Sequence, residues 1–352
     1  MVSLEDVARA AGVSTATVSR ALSGRGRTSA ATRERVRALA ESLGYVASAT
    51  ASSLASGRAQ NIGVVVPLLD RWFFATVLDG IASMLAPRGF DMTLYNVTAD
   101  PAQRAHLFDV SLRRGRVDGL IVLSTPLSDD EVARVQGLDI PLLGLGVPRR
   151  EIDALRVDDT AVGRAATAHL LALGHRDIAH IGPSIAAETG ADPDFDIPAR
   201  RRLGFEEAMR DAGVPHPRFV SADFTVEGGR AAALALLDDP HPPTAIFAAS
   251  DELAYGVLAA ARDRGVEVPE RLSVIGVDGH DLAELFGLTT IDQFPHAQGR
   301  RAGEAILAAV EARTGAEAGT PGAEPDAGTG DAASLPFELV VRGTTDIPGG
   351  DT

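Results

Sequence analysis

A chain of 352 residues exceeds the roughly 150 that one folding unit usually takes, so two to three units are expected. With 45% hydrophobic and 23% charged residues it can bury sizeable cores, and the absence of Cys removes disulfide frameworks, thiolate nucleophiles and Cys-ligated metal sites. The net charge of −15 is uneven: residues 1–58 hold eight Arg against Glu5, Asp6, Glu34 and Glu41, a surplus of +4 that leaves the rest at −19, as expected where only one end meets a polyanion.

The opening MVSLEDVARA carries carboxylates where a secretory signal needs positive charge, and no later run reaches about 18 uninterrupted apolar residues, so a cytoplasmic location is expected. Three short helices follow. Ser3 caps the first, with Asp6 completing an acidic capping box and Leu4, Val7, Ala8 and Ala11 on one face; Gly12 stops it. Ser14 caps a second helix running through Val18 to Leu22, and Gly24 and Gly26 break the chain. Ser29 opens a third, which places Val36, Leu39, Ala40 and Leu43 on one face and ends at Gly44. Residues 46–60, small and polar apart from Leu54, read as a linker with marginal helix propensity. From Asn61 the texture becomes alternating strand and helix, with apolar runs at 62–66, 92–95, 119–123, 141–145, 178–181, 244–249 and 272–277. Continuous apolar strands separated by helices imply buried parallel sheet, and roughly ten strands suit two lobes better than one. Residues 314–334 lack large apolar side chains and read as a disordered insertion before a last strand at 337–341.

Residues 4–22 predict a helix-turn-helix, whose second helix enters the DNA major groove with its N-terminal residues on base edges. Val7, Ala8, Val13, Val18 and Leu22 form the expected small core, leaving Thr15, Ala16 and Arg20 outward. The hydroxyls of Ser14, Thr17 and Ser19 and the amides at the helix start can meet phosphate, and Ser29 and Thr32, opening the third helix, join the expected DNA contacts.

DVARAAGVSTATVSRAL, the TRERV helix at 32–36, LGY at 43–45, SSLASGR, LLALGHRDIAHIGP at 170–183, RRLGFEEAM at 201–209, TAIFAASDELAYG at 244–256, LSVIGVDG at 272–279 and the terminal LVVRGTT together resemble the LacI (lactose-repressor) family of bacterial transcription regulators. The likeness is collinear over nearly the whole chain. It implies an α/β protein: an N-terminal all-α helix-turn-helix head (1–46), a hinge helix or linker (47–60), and a two-lobed parallel-sheet core similar to periplasmic sugar-binding proteins. The first lobe is expected at 61–159 plus 292–313 and the second at 160–291 plus 335–345. By the same resemblance, Thr15, Ala16 and Arg20 read bases, Arg20 being the natural bidentate partner of guanine. Leu54 falls on the family's minor-groove wedge, the alternative being a linker residue packed on the core. The family often has Pro near Ala47 and Arg where this chain has Ser52.

Two α/β lobes bind small molecules at the carboxyl ends of their strands. After the first strand come Asp70, Arg71, Trp72, Phe73 and Phe74; the resemblance brings Phe73 and Phe74 toward a ligand, with Phe74 as core the alternative. Asp159, Arg201, Phe224, Ser250, Asp251 and Asp278 also fall on family cleft positions, and Gly146 stands where many relatives carry an acid. Residues 184–198 read as either a loop at the cleft mouth or a solvated insertion.

No G-x-S-x-G elbow, phosphate-binding G-x-x-x-x-G-K-[ST] loop or HExxH is present, and His175 and His180 suit neither a zinc face nor a triad. No enzyme, cofactor or metal is expected. The partners expected are double-stranded operator DNA, a small-molecule effector, most simply a sugar, and a second copy of the chain, with no membrane. A small-molecule-binding protein of the cytoplasm and a purine-type, corepressor-dependent regulator are the alternatives.

Overall fold

The computed structural model describes residues 2–23, 28–45, 58–97, 100–125, 127–147, 152–184, 197–214, 216–317 and 333–349. Leu54, most of the expected hinge, residues 185–196 and residues 318–332 lie outside them.

In the head, α1 (Leu4–Ala11), α2 (Thr15–Ser23) and α3 (Ala30–Ser42) form where the caps predict. The Ser3 hydroxyl accepts the Asp6 amide at 3.2 Å while Asp6 takes the Ser3 amide at 3.0 Å, so two otherwise orphaned donors are satisfied. Gly12 leaves α1 at φ +63, a left-handed conformation that favours glycine. Ser14 and Ser29 accept the Thr17 and Thr32 amides, each at 3.2 Å. Val7, Val18, Ala21 and Val36 are fully buried between the helices, with Ala8, Ala11 and Ala40 beside them. Val13 and Leu22, expected in this core, are only partly buried against it. Leu43 departs from expectation and is 39% exposed. It sits at the cap, where the chain leaves the helical path, and Tyr45 packs on the head core instead.

The core contains two six-stranded sheets. The first comprises β1 (Asn61–Val66), β2 (Asp91–Asn96), β3 (Gly119–Leu123), β4 (Leu142–Leu145), β5 (Asp153–Val157) and β11 (Ala333–Leu335), in the order β11-β5-β4-β3-β1-β2. The second comprises β6 (Ile178–Gly182), β7 (Arg218–Ser221), β8 (Ala245–Ala248), β9 (Ser273–Asp278), β10 (Thr289–Asp292) and β12 (Glu338–Val340), in the order β12-β10-β9-β8-β6-β7. Parallel pairing runs Ile62↔Gly119, Leu120↔Leu142 and Ile178↔Ala245, whereas β12 pairs antiparallel to β10 through Ile291↔Leu339. Each sheet reverses its strand order beside its first strand, at β1/β3 and at β6/β8, and such switch points open a crevice at the carboxyl ends of the strands.

Four strands had no apolar run to announce them. DALRV, RFVS, TTID and ASL are short and carry polar residues because all four lie at or next to a sheet edge, TTID beside the antiparallel β12. The expected insertion is shorter at both ends: the helix α11 (Pro295–Glu317) runs past residue 314, and β11 begins at Ala333 in the first sheet rather than the second.

The helices are α4 (Trp72–Leu85), α5 (Pro101–His106) and α6 (Asp129–Gln136) in the first lobe, with α11 packed on α4. In the second lobe α7 (Asp159–Ala172) packs on α8 (Ile197–Asp211), and α9 (Val226–Leu237) on α10 (Asp251–Arg264). Backbones touch where α7 crosses α8. A Cβ on Gly163 would lie 2.0 Å from the Arg201 carbonyl oxygen, and one on Gly204 would lie 2.1 Å from that of Thr160. Only paired glycines permit this approach, and it brings Arg201 of α8 onto the first turn of α7.

Candidate nucleic-acid interface and effector cleft

On the head, Thr15, Ala16 and Arg20 are exposed on α2, opposite buried Val18 and Ala21. Arg20 lies back along its helix, donating from Nε to the Ala16 carbonyl at 3.1 Å. Ser14 is exposed and Thr17 and Ser19 are half-buried; the Ser14 and Thr17 hydroxyls lie 2.9 Å apart. Ser29 and Thr32 form a similar hydroxyl pair at 2.8 Å at the start of α3. Two helix N-termini therefore gather hydroxyls that are exposed or half-buried, groups that suit phosphate oxygens. Ala47, Ser52 and Leu54 lie outside the described residues, so the wedge and its neighbours enter no geometry.

In the core, four segments distant in sequence converge on one guanidinium. Arg201 is 5% exposed. Its Nε donates to Asp159 Oδ1 at 2.9 Å, Nη1 to the Ala249 carbonyl at 2.6 Å and Nη2 to Gln293 Oε1 at 3.2 Å. The Gln293 amide donates in turn to Asp278 Oδ1 at 2.9 Å, and that oxygen lies 3.9 Å from Arg201 Nη1. Gln298 holds Gln293 from behind, donating to its carbonyl at 2.7 Å. Two buried carboxylates thus share one buried cation. Burial pushes the Asp159 carboxyl up against the opposing pull of Arg201. It pushes Asp278 further, well above the usual carboxylate range, because Asp251 and Glu252 add to it. Asp278 ends β9 at φ +127, a conformation rare for a residue with a side chain, and such strain collects at ligand clamps and switch regions. Among the described residues only Oδ1 of Asp278 is hydrogen-bonded, and Arg201 spends three of its five N–H groups. The remaining donors and acceptor are the kind of set that recognises hydroxyls.

The other anticipated cleft residues divide. Phe73 and Phe74 are half-buried, meet edge-on at 5.5 Å and pack on the main core, so each has both a core side and an accessible side. Phe224 is half-buried, and its carbonyl accepts Arg71 Nη1 at 2.9 Å. Ser250 caps α10, accepting the Leu253 amide at 3.2 Å. Asp251 is fully buried, takes the Thr290 hydroxyl at 2.7 Å and the His280 amide at 2.8 Å, and is pushed by burial up to about 7. Both oxygens of Asp251 thus accept bonds from within the chain and tie α10 to β10 and to the turn after β9.

Gln293, Glu252 and His280 were not singled out from sequence. Gln293 follows the polar strand β10, which offers no apolar signal; Arg71 lies in the expected window after β1. Gly146 is left-handed at φ +72, so a side chain there would be strained and would have to displace the Ser124 hydroxyl, 2.7 Å from where its Cβ would stand. His180 is buried, its Nδ1 donates to the Phe247 carbonyl at 2.9 Å and its ring stacks on Phe247. His175 ties Thr244, Ser273 and the Asp346 carbonyl together. Both are framework residues.

Residues 3–48 match the family described as bacterial regulatory proteins, lacI family, and residues 167–345 match the periplasmic binding protein-like domain. The HTH-type transcriptional regulator DegA of Bacillus subtilis (strain 168) is 35% identical over 297 residues, 82% of this chain and 85% of DegA. Among solved structures, the lac repressor dimer bound to operator and the anti-inducer ONPF superposes with a TM-score of 0.80 at 26% identity, covering 98% of this chain and 99% of that one. The complex of the transcriptional regulator CelR with cellobiose gives 0.67 at 28% identity, covering 98% and 100%. With a helix-turn-helix in its N-terminal sequence and two doubly wound lobes in the sequence that follows, the chain belongs to the LacI family of DNA-binding transcriptional regulators.

Proposed function

We propose that this regulator is a repressor that binds a pseudopalindromic operator as a homodimer and is switched by a small molecule, most simply a sugar, held between the lobes of its core. The observation that carries the reading is the outward set Thr15, Ala16 and Arg20 over a closed helical core, the arrangement that lets a recognition helix enter the major groove. Ser14, Thr17, Ser19, Ser29 and Thr32 would hold phosphates, and Leu54 would pry open a base step between paired hinges. A second copy supplies the second half-site that a palindrome requires. The operator in the lac repressor structure and the cellobiose in that of CelR support the choice of partners.

In the cleft, Arg201, Asp159 and Asp278 would engage ligand hydroxyls, with Phe73, Phe74 and Phe224 covering the apolar faces of its ring. Ligand bound more tightly by one arrangement of the lobes shifts the population of the DNA-competent state. The test is gel retardation of promoter DNA from the neighbourhood of the protein's own coding region, with and without a panel of sugars. The unmodified protein should retard at least one fragment selectively, and Arg20→Ala should lose about ten- to hundredfold of that selectivity, the worth of one bidentate guanine contact. Equal selectivity in the variant would overturn the recognition-helix assignment.

A further inference from the structure

Two residues at the end of the first strand reach across to the second lobe. Arg71 donates from Nη1 to the Phe224 carbonyl at 2.9 Å and stands 3.6 Å from Glu252 Oε1, while Asp70 braces the guanidinium from the other side at 2.7 Å. Arg71 and Glu252 are each 19% exposed at the side chain, so solvent screens the pair less than it would a surface pair. Its neighbour Trp72 stacks on His280, with ring centroids 4.3 Å apart and planes 24° from parallel. His280 is itself a fixed platform. Its amide is held by Asp251, its Nδ1 lies 2.8 Å from Asp281 Oδ1 and 3.0 Å from the Leu282 amide, and Tyr255 meets its ring edge-on at 5.3 Å.

Arg71 and Trp72 belong to the first lobe, by the β1–α4 loop and the start of α4. Phe224, Glu252 and His280 belong to the second, by the loop after β7, by α10 and by the turn after β9. Side chains therefore join the lobes at the carboxyl ends of both sheets, in addition to the three passages of the main chain between them.

We propose that Arg71 and Trp72 form a latch that biases the two lobes toward each other through the chain's own side chains, and so set the threshold at which an effector switches the core. The latch rests on the reading of the cleft as the effector site only for what it regulates; the latch itself is a property of the core alone. Phe73 and Phe74 face the compound, whereas Arg71 and Trp72 face the opposite lobe and act on the population of the closed state.

Trp72 is the single tryptophan of the chain, so its fluorescence reports the latch without labelling. In the full-length protein, acrylamide quenching is measured for the unmodified chain, for His280→Ala, which removes the stacking partner, and for Glu252→Ala, which lies in the second lobe outside the stack and loosens only Arg71. The expected result is a rise in the quenching constant of about twofold in His280→Ala and a smaller rise in Glu252→Ala, because opening the lobes uncovers the indole in both. A rise in His280→Ala alone would mean a local stack and overturn the inter-lobe latch, as would no change in either. Small-angle scattering from Arg71→Ala is the second measurement: the radius of gyration should increase, and an unchanged value overturns the proposal even if a histidine variant fails to fold. None of these readouts needs DNA or effector, so a failure of operator binding leaves them standing.

Discussion

In the head, Thr15, Ala16 and Arg20 stand exposed over a core made by Val7, Val18 and Val36, whereas in the cleft Asp159, Arg201 and Asp278 are themselves buried. The head separates what folds it from what it offers to a partner. The cleft does not: its charged residues hold α7, α8, β9 and the segment after β10 together and also form the candidate binding surface. A surface charge costs little to keep, while a buried one survives only when paired. Stability and function should therefore come apart under mutation in the head and fall together in the cleft.

The sharpest way to break this comparison is Arg201→Met. Removing the cation leaves two carboxylates buried without their shared partner, and the core should lose about 3–5 kcal/mol, read from the denaturant midpoint. A loss under about 1 kcal/mol would show that the carboxylates adapt by taking up protons, and that the cleft tolerates change as the head does.

Next comes an effect of pH on the framework behind the cleft. Burial holds the His180 imidazole down to about 3, against an ordinary 6.5, so the neutral form is the folded one. Its contribution is complete above the ordinary value and is lost as pH falls toward the folded one, at about 1.4 kcal/mol per unit. Between pH 7 and 5 the unmodified chain should lose about 2 kcal/mol more than His180→Met. Asp251, raised to about 7 by burial, contributes in the opposite direction, but equally in both proteins. Parallel pH profiles would mean that His180 charges freely in the fold.

Smaller effects belong to the head. Ser3→Ala removes the capping-box acceptor and should cost about 1 kcal/mol in the head's own unfolding transition, with the core transition unmoved. Arg20→Ala should change head stability by no more than about 0.5 kcal/mol, although it should cut selective DNA retention about ten- to hundredfold. A large loss of stability in that variant would mean that the bond from Arg20 to the Ala16 carbonyl is structural, and the division between the two regions would blur.

The same contrast explains how far the sequence could be read. Caps at Ser3, Ser14 and Ser29, the stop at Gly12 and the apolar stripes of three short helices act over three or four residues, so the head was legible almost completely. Leu43 failed because the periodic pattern continues one position beyond the point where the chain leaves its helix. In the core the fully buried strands declared themselves by unbroken Val, Ile and Leu, while β5, β7, β10 and β11 did not. Arg201 and Asp278 were reached by resemblance and position after strands. Gln293 was missed with the strand that precedes it, and the bonds of Asp251 to Thr290 and His280 could not be read from its position after a strand.

Local order, then, was written in the chain itself: helix ends, buried strands, the outward face of α2 and the asymmetry of charge all arise from neighbours a few residues apart. What only the folded molecule decided is which distant groups meet. Arg201 finds Asp159 across 42 residues and Gln293 across 92, and Trp72 finds His280 over a still longer interval. Such meetings depend on two glycines letting helices touch and on where each sheet reverses its order. No short window of sequence contains that information, because the energy that selects these pairs is released only when the lobes have packed.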